Sequence, residues 1–111
     1  MEYHFLIAAD AVPPGAQREF AIAGQRILLC HTGAGLFAVQ ALCNHARQPL
    51  LGGKIADTVL TCPHHAGKFD LRTGRALAAP AFGPLRCYPL RVVEGRIEVG
   101  LPQAAPPPST I

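Results

Sequence analysis

Eleven glycines and eleven prolines punctuate this chain of 111 residues, and that density constrains the fold before any other feature. Proline fixes φ and removes a backbone donor, and glycine favours turns, so long helical runs are scarce while short strands joined by turns fit readily. An all-β fold is expected. The length suits one domain, and with 50% hydrophobic and 15% charged residues the chain can bury a core unaided.

Read in order, EYHFLIAA is a strand candidate stopped by DAVPPG, whose Pro-Pro-Gly forbids continuation. QREFAIAGQRILLCHTGAGLFAVQALC reads as three short strands of a meander, broken at Gly24-Gln25 and at TGAG. Gly33-Ala34-Gly35 is a turn rather than a dinucleotide fingerprint, because a strand follows it and the third glycine is missing. GKFDLRTGRALAAP looks like a hairpin turning at Thr73-Gly74, and LRCYPLRVVEGRIEVG like another turning at Glu94-Gly95. No repeat and no boundary falls inside residues 1–101, and the Pro-rich residues 102–111 are expected to form a disordered tail.

The chemistry concentrates in CNHARQPLLGGKIADTVLTCPHHAGKFD, Cys43 to Asp70. It carries two bursts, Cys-x-His and Cys-x-x-His, with 16 residues between His45 and Cys62. In an extended segment residues i and i+2 point the same way about 6.5–7 Å apart. Cys43 and His45 thus reach two adjacent ions more comfortably than one. Structural zinc sites usually pair like ligands, C-x(2–4)-C with H-x(3–5)-H, whereas each burst here mixes one Cys with one His. A mononuclear zinc site therefore fits poorly. A 2Fe-2S cluster fits better, with Cys43 and Cys62 on one iron and His45 and His65 on its partner.

Charge counting gives such a site a task. With two ferric ions, two sulfides, two thiolates and neutral imidazoles the oxidised site is uncharged, where four thiolates would leave a dianion. Adding an electron to the neutral site costs less, which raises the potential to roughly −150 to +300 mV. Single-electron transfer is the expected function. At an exposed tip the outer imidazole N–H groups would titrate, so the potential is expected to fall as pH rises through their pKa values in the oxidised state.

CNHARQPLLGG, with Pro49, Leu50 and Gly53, and CPHHAGKFDLRTGRALAAPAFGPLRCYPLRV resemble the two cluster-binding loops and following strands of Rieske-type ferredoxins. The resemblance covers about residues 3–100. It implies a single Rieske domain over residues 1–101, made of small antiparallel sheets. A base domain would carry an inserted cluster-binding subdomain at about residues 42–80. It also implies an electron carrier serving a flavin-dependent ferredoxin reductase and a terminal ring-hydroxylating oxygenase.

Respiratory members of this family place a further Cys in each loop, where this chain has Gln48 and His64, so no disulfide joins the loops. They also place Ser and Tyr hydroxyls near the cluster sulfurs, where this chain has Gly67 and Phe69. Losing donors that favour the reduced form predicts a potential at the ferredoxin end of the range. Many oxygenase-linked ferredoxins are acidic, yet between Arg47 and Arg91 seven basic residues stand against Asp57 and Asp70. That balance would steer a transient encounter with an acidic partner.

Other features narrow the class. The start of the chain lacks the basic and apolar pattern of a signal peptide, and no run approaches a membrane span. A cytoplasmic monomer with reduced or metal-bound thiols is expected. Basic residues are neither clustered nor interleaved with stacking aromatics, so no nucleic-acid partner is expected. Cys30 and Cys87 are read as small buried core residues, His4 and His31 as structural or solvent-exposed, and His64 as a loop residue outside the ligand set. Pro63 and Gly67 suit either a supporting role beside the cluster or plain turn chemistry. Two rival readings remain: a structural zinc module using the same four residues, and a Rieske-like small subunit of another oxidoreductase such as nitrite reductase.

Overall fold

The computed structural model describes residues 2–43, 48–64, 67–78 and 84–101. These contain eleven strands: β1 (Glu2–Ala8), β2 (Gln17–Ile22), β3 (Gln25–Thr32), β4 (Gly35–Gln40), β5 (Lys54–Ala56), β6 (Val59–Thr61), β7 (Lys68–Asp70), β8 (Ala76–Ala78), β9 (Cys87–Tyr88), β10 (Leu90–Val93) and β11 (Arg96–Leu101). A single 3-10 turn occupies Ala9–Ala11. The strands form three antiparallel sheets, ordered β1-β11-β10, β2-β3-β4-β9 and β5-β6-β7-β8. The all-β expectation holds.

Turn chemistry sets the hairpins. Ala23-Gly24 has φ of 51° and 78°, and Glu94-Gly95 has 51° and 74°. Two consecutive positive φ values give the two-residue turn whose twist matches the flanking strands.

The sheets are held by a wall with two faces. Ile27, Leu28, Leu29 and Cys30 of β3 are all fully buried, although a strand alternates its side chains. Ile27 and Leu29 join Ala38, Tyr88, Ile97, Val99 and Leu101 in the core closed by the first sheet. Leu28 and Cys30 point the other way, into the core that Leu60 and Phe69 of the third sheet close together with Leu71 of the turn after β7. Burial on both faces is why ILLC reads as an unbroken apolar run. Each buried leucine contributes about 1.5–3 kcal/mol.

Two readings of the C-terminal third need correction. LRCYPLRVVEGRIEVG is not one hairpin: Cys87 and Tyr88 pair with Val39 and Ala38 of β4, and only Leu90–Val93 pairs with β11. Pro89 lacks a ladder donor and marks the switch between sheets. Cys87 is also exposed rather than buried, because its two-residue strand lies at the sheet edge. Cys30 is buried as expected, and none of the four cysteines is in a disulfide.

Candidate metal centre

The first loop rises from the end of β4. Segments 41–43 and 48–50 zip together through the Leu42–Pro49 bridge, Leu50 N–H donating to Ala41 O at 2.8 Å and Cys43 N–H donating to Gln48 O at 2.8 Å. The second loop joins β6 to β7, and there Cys62 N–H donates to Gly67 O at 2.7 Å. Each loop is thus closed by the same bond, from the cysteine N–H to the carbonyl five residues on.

Both ends of the first loop are bracketed by glutamine side chains. Gln40 Nε2 donates to Leu42 O at 2.8 Å, and its Oε1 accepts from Arg86 N–H at 2.7 Å. At the far end Gln17 Nε2 donates to Gly53 O at 2.7 Å, and its Oε1 accepts from Gly52 N–H at 3.0 Å. Gly53 is buried, and a Cβ there would run into the Thr61 carbonyl and come within 2.8 Å of Leu60 Cδ1. The backbone of the first loop thereby rests on the strand that leads to Cys62.

Cys43 and Cys62 are 1% and 2% exposed and share one core with Leu50, Leu60, Phe69 and Leu71. Two thiols in one core are the soft donors that a thiophilic metal ion selects, and a bound metal holds a coordinating thiol deprotonated. Cys30 shows the contrast: it sits in the strand wall, and burial pushes its thiol up to about 12, which makes it inert. Leu50 and Phe69 are fully buried beside the two loop cysteines, so they pack the core under the loops. His45 and His65 lie outside the described residues. With those two set aside, no three Cys, His, Asp or Glu side chains converge among the described residues.

The remaining histidines are placed elsewhere. His64 and Pro63 are exposed in the second loop. His31 Nδ1 donates to Val12 O at 2.6 Å, and His4 lies 3.7 Å from Glu2. The two glutamine brackets were not foreseen, since their partners lie across the fold.

Three small antiparallel sheets carry two identically closed loops, each delivering a buried cysteine to a common core. Residues 2–89 match the Rieske 2Fe-2S domain, and the chain belongs to that family. It is 39% identical over 101 residues to the anthranilate 1,2-dioxygenase ferredoxin subunit of Burkholderia cepacia, covering 84% of this chain and 94% of that one. The solved ferredoxin of carbazole 1,9a-dioxygenase from Nocardioides aromaticivorans IC177 superposes with a TM-score of 0.83 at 30% identity, over 89% of this chain and 97% of that one. A chain in the complex of reduced oxygenase and oxidized ferredoxin in carbazole 1,9a-dioxygenase gives 0.82 at 28% identity, over 87% and 91%.

The cofactor is therefore a Rieske-type 2Fe-2S cluster, and the protein is an electron-carrying ferredoxin component rather than an enzyme. The residues present fit that group, because two buried, unbridged thiols stand at equivalent positions of two matched loops. No helix among the described residues is long and apolar enough to cross a membrane.

Proposed function

We propose that Cys43 and Cys62 hold one iron of the cluster and His45 and His65 the other. The protein then carries single electrons from a flavin-dependent reductase to a terminal ring-hydroxylating oxygenase, as a cytoplasmic monomer. The observation that carries this reading is the matched pair of closures, Cys43 to Gln48 and Cys62 to Gly67. Each places a Cys/His burst inside a loop of the same span. The dioxygenase ferredoxins and the ferredoxin–oxygenase complex among its relatives support the choice of partner.

The domain comprises residues 1–101, with a cluster-binding part at about residues 42–80 and a Pro-rich tail at 102–111. Its own residues would exclude water from the two thiols: Phe69, Leu50 and Leu60 are fully buried in the core that holds both cysteines. Phe69 brings no hydroxyl to that core, which favours a potential at the ferredoxin end of the range.

Iron, acid-labile sulfide and zinc are measured on one anaerobically purified sample, with EPR after dithionite reduction. Two irons and two sulfides per chain, with the low average g value of His-ligated clusters, are expected. Loss of both irons is expected in Cys43→Ser and His65→Ala. One zinc without sulfide or signal would leave the fold and remove the function.

A further inference from the structure

The chain has only two lysines, Lys54 and Lys68, and the fold sets both in one cross-strand row. Lys54 pairs with Thr61, and Thr61 pairs with Lys68. The adjacent row, Ile55, Leu60 and Phe69, faces the core, so the alternation of a strand turns the lysine row to the outer face. With strands about 4.8 Å apart, the two lysine stems flank Thr61 at about 10 Å from each other. The row lies where the second loop begins, since Thr61 precedes Cys62 and Lys68 follows Gly67.

Both lysines are exposed, and among the described residues neither has a carboxylate partner. Four of the arginines are used differently. Arg26 lies 2.6 Å from Glu19, Arg72 3.2 Å from Asp70 and Arg91 2.6 Å from Glu98. Arg91 and Arg96 also cover the rings of Tyr3 and Phe5.

The acids of the third sheet do not offset the row. Asp70 is occupied by Arg72, and Asp57 stands in the turn at the opposite end of β5, about 10 Å along the strand and near one screening length away. The outer face is therefore positive at its loop end. A guanidinium fork matches a carboxylate bidentately, whereas the lysine ammonium is a compact, strongly hydrated point charge on a flexible stem. Leu51, 46% exposed in the turn before Lys54, adds an apolar contact at the same end.

We propose that the Lys54–Thr61–Lys68 row is the docking surface for an electron-transfer protein with an acidic patch. The proposal rests on the ferredoxin reading of the adjoining loops.

The test follows oxidation of the reduced holoprotein by stopped flow with two inorganic probes, hexacyanoferrate(III) and hexaammineruthenium(III). Each accepts one electron and leaves as its divalent-metal form, with no bond or proton exchanged. Lys54→Glu/Lys68→Glu is compared with Arg91→Glu/Arg96→Glu, which makes the same change in net charge on the first sheet. Lys54→Gln/Lys68→Gln serves as a milder pair.

At low ionic strength the glutamate reversal at the lysines slows the anionic probe about tenfold, the low end of electrostatic steering. It also speeds the cationic probe. The glutamine pair gives a smaller shift of the same sign, and both effects disappear at high salt. The arginine reversal changes either rate less than twofold, and the spectrum stays unchanged throughout. Equal effects of the lysine and arginine reversals, or none, would overturn the proposal alone. A parent protein that passes no electron to either probe would overturn the ferredoxin reading and the proposal with it.

Discussion

The side-chain amide of Gln17 lies against the backbone of Gly53, 36 positions further along the chain, donating to its carbonyl at 2.7 Å while accepting Gly52 N–H at 3.0 Å. One residue of the base thus holds the exit of the first loop through two bonds of opposite polarity. Gln17→Ala is expected to lower unfolding free energy by about 1–3 kcal/mol, given about 1 kcal/mol per bond. Gln17→Glu loses the donor and sets a carboxylate oxygen against the Gly53 carbonyl, with a cost at least as large. Urea unfolding of the holoprotein measures both, and parental stability in the two variants would show the bracket to be idle.

Gly53 and Gly33 make a matched pair of tests. Alanine at 53 drives a methyl into the Thr61 carbonyl and toward Leu60, so two backbone segments must part, at about 1–3 kcal/mol. Alanine at 33 meets nothing within 4 Å and stays within about 0.5 kcal/mol of the parent. Thermal unfolding separates them, and a Gly53→Ala protein as stable as Gly33→Ala would contradict the close approach of the first loop to β6.

Phe69 is fully buried in the core that holds both loop cysteines. Phe69→Ala is expected to cost about 3–5 kcal/mol through lost burial and the cavity left behind. The iron content after dilution and gel filtration is expected to fall with it, since the cavity opens under both loops. Full iron retention in a destabilised variant would show that the core and the centre are independent.

How much of this was legible in the sequence depended on the range of the cause. Glu94-Gly95 was readable as a turn because its geometry is set by the two residues themselves. The ILLC run was readable as buried strand, but which residue faces which core depends on sheets built from residues 54–78 and 90–101. β5 and β6 were not foreseen, since three residues carry no measurable period. Cys87 was misread because an edge position leaves no local mark. Cys43 and Cys62 stand out by spacing alone, and the structure shows that they share one core, while Gln17 and Gln40 act on residues 36 and 46 positions away, for which sequence has no signal.

Cys30 predicts an alkaline limit. Burial raises its thiol from 9.0 to about 12, so between those values the unfolded chain loses a proton that the folded chain keeps. Stability from this group is complete below about pH 9 and is lost as pH rises toward 12, at about 1.4 kcal/mol per pH unit. Cys30→Ala should flatten that slope in urea titrations between pH 9 and 11. An unchanged slope would place the alkaline sensitivity elsewhere.

The shared wall of β3 and β4 has a consequence for how the molecule breathes. Opening the core under the loops strips one face of the same strands whose other face carries Ile97 and Val99, so neither half can melt as a private event. The two cores form one cooperative unit. Uptake of the cofactor on one side, by disfavouring that common opening, slows hydrogen exchange at the β11 amides on the other, without any contact between them.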